Sequence, residues 1–104
     1  MIKKRVETIK NALSAGEGFL VESVFNRFYY TGFETSAGAV LITPDSASFL
    51  IDFRYFEKAK KTVTSCEVIL AEKGGISVLD LLGKENIKKL YIETDKISVA
   101  EFKR

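Results

Sequence analysis

Two apolar runs, Ala37 to Thr43 and Ser46 to Ile51, flank Pro44 and Asp45, and this arrangement restricts the fold more than any other part of the chain. Proline fixes φ for the first central position of a turn and aspartate suits the second, so the runs are expected to pair as an antiparallel hairpin. Around the hairpin two periodicities alternate. Before it, Ile2, Val6, Ile9 and Leu13 recur among Lys, Arg, Glu and Asn as one apolar stripe of a helix, and Gly16 is placed to end that helix at C′. Phe19, Leu20 and Val21 follow as a short strand. After the hairpin, Asp52 is positioned to cap a helix that buries Phe56, Ala59 and Val63 and turns Glu57, Lys58, Lys60 and Lys61 to water. Cys66 to Ala71 is nearly continuous in apolar character, as expected of a strand covered on both faces. Ser77-Val78-Leu79-Asp80 has capping-box spacing and opens a helix that buries Val78, Leu81 and Leu82 and stops at Gly83. Lys89 to Glu93 supplies a final strand.

The order helix, strand, hairpin, helix, strand, helix, strand within 104 residues predicts a single α/β domain. Its mixed sheet of five to six strands is flanked by helices, with an antiparallel hairpin and with the later, helix-linked strands parallel. At this length, 46% hydrophobic residues suffice for a core without a disulfide or metal.

Absences exclude several chemistries. The chain has no histidine, one cysteine and no tryptophan, so no His-based triad, imidazole metal ligand, zinc finger or CxxC redox pair is available. Cys66 is expected to be an inert small hydrophobe. A formal charge of +2 is too small for sequence-independent phosphate attraction, which argues against a nucleic-acid partner. The longest apolar run, Ala37 to Ile42, falls far short of a bilayer span, and Lys3-Lys4-Arg5 is followed by Glu7 and Lys10 instead of a signal-peptide h-region. The unpaired Cys66 and the lack of an Asn-x-Ser/Thr acceptor favour a cytoplasmic setting.

Three constellations stand out. Phe25, Phe28, Tyr29, Tyr30 and Phe33 lie within nine positions, interleaved with Asn26, Arg27, Thr31 and Gly32. Such a mixture stacks bases in single-strand binders, but the charged groove is missing, so the segment is expected to plug one end of the sheet with a tight turn at Gly32. Asp52-Phe53-Arg54-Tyr55 combines a helix cap with a guanidinium able to pair with a carboxylate. Asp45, Asp52, Glu93 and Asp95 would suit magnesium in a nuclease only if they converged, and no spacing fixes that. A second capping box, Ser98-Val99-Ala100-Glu101, starts a helix within a few residues of Arg104, which leads to the expectation that the natural chain continues.

Two of these blocks together carry a family resemblance. Asn26-Arg27-Phe28-Tyr29-Tyr30-Thr31-Gly32-Phe33 resembles the Asn-x-x-Tyr-x-Thr/Ser-Gly-Phe signature of the amino-terminal domain of the creatinase, prolidase and aminopeptidase P superfamily. Asp52-Phe53-Arg54-Tyr55, with Ala59 four residues on, resembles that domain's second signature, Asp-x-Arg-Tyr-x-x-x-Ala, and the hairpin between them matches in length and place. Phe25 departs from the proline or small residue common in relatives. The resemblance implies a domain of the ribonuclease-H-like, creatinase amino-terminal type spanning residues 1–104, most similar to a microbial Xaa-Pro dipeptidase. It further implies a missing pita-bread domain whose two divalent ions, manganese, cobalt or zinc, cleave Xaa-Pro peptides. No catalytic or metal-binding residue is then expected in this chain. Its role would be to support a homo-oligomer and the active-site entrance, with Phe33, Glu34, Thr35, Ser36, Arg54 and Tyr55 as entrance or interface candidates. The alternative is a free-standing binding or assembly module with the same fold.

Overall fold

The computed structural model describes residues 2–35, 38–71 and 78–93. The first apolar stripe forms α1 (Ile2–Ala12), with Val6 buried at its centre. α1 ends before Gly16, which is not its C′ residue. Gly16 instead takes φ +82° inside a turn closed by the Glu17 amide on the Ser14 carbonyl. That turn delivers β1 (Glu17–Val21), and its Gly16 carbonyl accepts from both Lys88 and Lys89.

The hairpin forms as its turn chemistry requires. β2 (Ala39–Ile42) and β3 (Ala47–Ile51) pair antiparallel with Ile42 opposite Ala47. The Thr43 hydroxyl accepts from the Asp45 and Ser46 amides and holds the tip. β3 leads through α3 (Phe53–Thr62) into β4 (Glu67–Leu70), which lies parallel to β3. β5 (Lys89–Ile92) closes the opposite edge, parallel to β1. The resulting five-stranded sheet has the order β4-β3-β2-β1-β5.

Alternation along the strands divides the core between two faces. Phe19, Val21, Val40, Ile42, Phe49 and Ile51 point to one face, where α1, α3 and the aromatic segment supply Val6, Ala59, Val63, Tyr30 and Phe33. Leu20, Leu41 and Leu50 point to the other, where they meet Leu81 of α4 (Val78–Lys84). Phe49 and Leu41, essentially inaccessible to water, anchor the two halves.

Four expectations need correction. The aromatic segment, expected as a plug closing one end of the sheet, is a helix, α2 (Val24–Thr31), because Ser23 caps its start; the turn expected at Gly32 is present, in the left-handed region, and ends it. Only Tyr30 and Phe33 of its five aromatics are buried, while Phe25, Phe28 and Tyr29 face water. β4 does pack on both faces, Val68 on one core cluster and Ile69 on the other, but it is an edge strand and only half-buried, since nothing pairs beyond it among the described residues. α4 runs through Gly83 and stops at Asn86, whose φ of +59° accompanies a pair of reversed bonds, Ile87 to Leu82 and Asn86 to Gly83. That pattern is the Schellman stop, with Asn in the place usually taken by glycine. The capping serines Ser77 and Ser98 lie outside the described residues.

Candidate functional site

β1, β3, β4 and β5 run in one direction and β2 against them. The carboxyl ends of four strands and the amino end of β2 therefore share one edge of the sheet. In open α/β sheets, ligand and partner sites gather outside that edge, because loops there leave the sheet without covering it. Four stretches converge on it: Glu22 to Val24 after β1, Phe33 to Thr35 ahead of β2, Asp52 to Tyr55 after β3, and Glu93 after β5.

Glu93 ties two of these stretches together. Its carboxylate accepts from the Glu22 and Ser23 amides, from the Ser23 hydroxyl at 2.9 Å and from Asn26 Nδ2 at 2.7 Å. Ser23 also caps α2 by accepting the Asn26 amide at 3.2 Å. Partial burial raises the Glu93 pKa, but the bonds from Asn26, Glu22 and Ser23 outweigh it and hold the carboxyl below its ordinary value. A negative charge at a helix amino terminus is also favoured by the helix dipole.

Arg27, 4% exposed, crosses behind this cluster. It donates to the Glu22 carbonyl and, at 2.9 Å, to the Thr35 carbonyl, so it fastens the loop after α2 to the end of β1. Its Nε is buried without a hydrogen-bond partner. Thr31 then explains the form of the first signature. Its hydroxyl donates to the Arg27 carbonyl at 2.7 Å and accepts the Phe33 amide at 3.1 Å, across a Gly32 held at φ +72°. Thr or Ser, then Gly, then a buried aromatic is what this helix stop requires.

At the α3 start, Asp52 Oδ1 accepts the Arg54 amide at 3.1 Å, and Oδ2 accepts Arg54 Nη2 at 2.7 Å and Nε at 3.1 Å. The side-chain bond from Arg54 lowers the Asp52 pKa, and the same bond raises that of Arg54. The expected carboxylate partner of Arg54 is thus its own helix cap. Tyr55 sits under the Arg54 guanidinium, 5.2 Å from ring centroid to carbon, and meets Phe33 edge-on at 6.5 Å.

Of the six candidates, Phe33, Glu34, Thr35, Arg54 and Tyr55 come together at this edge, while Ser36 lies outside the described residues. Val24, Glu34, Thr35 and Tyr55 line a shallow hollow of about 280 Å³. Phe33 is buried, so it supports the hollow from below. Glu93, Asn26 and Arg27 are structural keys that sequence reasoning did not assign. Asn26 stood in the signature, but its partner lies 67 positions away. The carboxylates considered for magnesium do not converge: Asp45 precedes β3 and Asp52 follows it, at opposite ends of the strand, and Asp95 is outside the described residues. No group of three His, Cys, Asp or Glu suited to a metal occurs among the described residues, and both Glu93 oxygens already carry donors. These residues do not fit a metal pair. No helix among the described residues is long and apolar enough to cross a membrane.

Comparison with known proteins agrees with the two signatures. The profile of the Creatinase/Prolidase N-terminal domain family matches residues 5–104. The chain is 37% identical over 89 residues to the uncharacterized peptidase YqhT of Bacillus subtilis, covering 83% of this chain and 25% of that protein. It superposes on the Xaa-Pro dipeptidase from Bacillus anthracis with a TM-score of 0.72 at 29% identity, over 95% of this chain and 28% of the other. An Xaa-Pro aminopeptidase structure from Streptococcus pyogenes gives 0.68 at 30% identity, over 95% and 73% of the respective chains. The chain spans a quarter or less of the length of the curated relatives it matches.

Proposed function

Because the chain belongs to the Creatinase/Prolidase N-terminal domain family, we propose that it is the noncatalytic amino-terminal domain of a longer, cytoplasmic, proline-specific peptidase. In this reading the dimetal centre and the Xaa-Pro chemistry reside in another domain, and these residues support a homo-oligomer and wall the entrance to the active site. The observation that carries the reading is the convergence of Glu34, Thr35, Arg54 and Tyr55 on the carboxyl edge of the sheet. That edge is keyed in place by Arg27, Asn26 and Glu93, none of which is available for hydrolytic chemistry. An open hollow of mixed lining, Val24 and Tyr55 beside Glu34 and Thr35, suits contact with a passing peptide, not bond cleavage. The similarity to an Xaa-Pro dipeptidase and an Xaa-Pro aminopeptidase supports the peptide class.

The test compares this chain with the full-length protein. The 104-residue chain with manganese or cobalt should leave an Xaa-Pro dipeptide intact, whereas the full-length protein should cleave it. In the full-length protein, Glu34→Ala and Tyr55→Ala should raise KM several-fold with kcat little changed, the signature of lost binding. An open reading frame that stops at Arg104, or a full-length protein inert toward Xaa-Pro bonds, would overturn the reading.

A further inference from the structure

α1 and α2 pack against each other and leave a second hollow between them, of about 390 Å³, within the size range of small-molecule sites. α1 contributes Lys4, Arg5, Thr8 and Ile9, spaced i, i+1, i+4 and i+5 and therefore on one helix face, and α2 contributes Tyr29 and Tyr30. The charge of this wall is one-sided. Two of the six residues are cations and none is a carboxylate. Glu7, the acid nearest to them in sequence, pairs with Lys10 at 3.8 Å, and Lys4 forms no ion pair among the described residues.

Arg5 determines which head group fits. Its Nη1 donates to the Tyr29 carbonyl at 2.9 Å, and its guanidinium carbon lies 4.3 Å from the Tyr29 ring centroid. Those contacts fix the group but leave its side-on edge, Nε and Nη2, without a partner among the described residues. Arg54 shows what that edge does in this chain, since its Nε and Nη2 together hold the Asp52 carboxylate. Arg27, by contrast, spends both terminal nitrogens on carbonyls. A guanidinium already immobilised loses little further freedom on binding, and its fork matches the oxygens of a carboxylate or phosphate. Thr8 adds no donor, because its hydroxyl proton goes to the Lys4 carbonyl at 3.0 Å.

The rest of the wall determines the body of the ligand. Ile9 packs on the core, and the rings of Tyr29 and Tyr30 meet edge to face at 5.0 Å. Tyr29 is 41% exposed, which leaves aromatic surface for a flat ring to cover. We propose that the hollow between α1 and α2 binds a small organic anion, a flat ring bearing a phosphate or a carboxylate. The head group lies against Arg5 Nε and Nη2 with the Lys4 ammonium beside it, and the ring lies against Tyr29 and Ile9. No residue of this hollow lines the one at the carboxyl edge, and the proposal does not rest on the peptidase reading.

The test is an NMR titration of the isotope-labelled 104-residue chain with phenyl phosphate, benzoate, inorganic phosphate and benzyl alcohol as probes. Phenyl phosphate should give saturable shifts at the amides of the lining residues, with Kd below about 1 mM. Inorganic phosphate, which lacks the ring, should bind at least about fivefold more weakly, and benzyl alcohol, which lacks the charge, should not saturate. Whichever of phenyl phosphate and benzoate binds tighter identifies the head group. Lys4→Glu, at an exposed position, should raise Kd for phenyl phosphate about fivefold. Arg5→Lys keeps the charge but lacks the fork, and should raise it about tenfold. Circular-dichroism melts check that each variant folds; should Arg5→Lys not fold, Lys4→Glu carries the test. No saturable shift at about 10 mM phenyl phosphate, shifts spread over the whole surface, or a Kd unmoved by either substitution in a folded protein would overturn the proposal. So would benzyl alcohol binding as tightly as phenyl phosphate, or inorganic phosphate doing so, which would make the hollow a place for an adventitious ion only.

Discussion

Replacing Glu93 by alanine removes a side chain that ties the end of β5 to the start of α2. Four donors lose their acceptor at once: two backbone amides, the Ser23 hydroxyl and Asn26 Nδ2. Hydrogen bonds to a charged acceptor contribute about 1.5–3 kcal/mol each when sheltered. Here Glu22 and Ser23 are exposed, so water replaces much of the loss, and the whole cluster is expected to cost about 2 kcal/mol. For a domain of this length that lowers Tm by about 8–16 °C. The pH dependence identifies the cause. The folded pKa of Glu93 lies below its ordinary value, so its stabilisation is complete above the ordinary glutamate range and fades as pH falls through the lower, folded value. Urea denaturation of wild type and Glu93→Ala followed by circular dichroism should therefore show a gap at pH 7 that narrows below about pH 4. A gap of less than about 0.5 kcal/mol at pH 7, the level of an ordinary surface substitution, would refute the clamp. A gap that persists undiminished in acid would refute its ionic character.

Two further substitutions test the local reading. Thr31→Val keeps shape but strands the buried Phe33 amide, so it should cost about 1–3 kcal/mol in urea unfolding, whereas Thr31→Ser should be nearly neutral. Gly83 lies inside α4, where an added methyl group would meet nothing within 4 Å; Gly83→Ala should stabilise the domain by about 0.5–1 kcal/mol, read as a rise in the urea midpoint at unchanged slope.

Much of this architecture is legible in the sequence. Proline and aspartate between two apolar runs specify a hairpin through local φ preferences, and the stripe on α1 and the Asp52 cap of α3 are equally local. The two signatures mark the edge of the sheet where Glu34, Thr35, Arg54 and Tyr55 meet. α2 escapes because its aromatics obscure the polar side of an eight-residue helix, and its stop depends on a hydroxyl two residues from the amide it satisfies. Gly83 draws attention as the residue best suited to end a helix, yet Asn86 takes the left-handed position.

Sequence by itself determined the type of every described element except α2, together with the hairpin and the family, since these rest on periodicity, capping and turn chemistry within a few residues. Only the tertiary structure decided that β4 lies at an edge, that β5 crosses to the far side of β1, and that Glu93 reaches Asn26. Those facts depend on contacts between residues tens of positions apart, and a one-dimensional pattern of polarity carries no information about which distant partner satisfies a given donor.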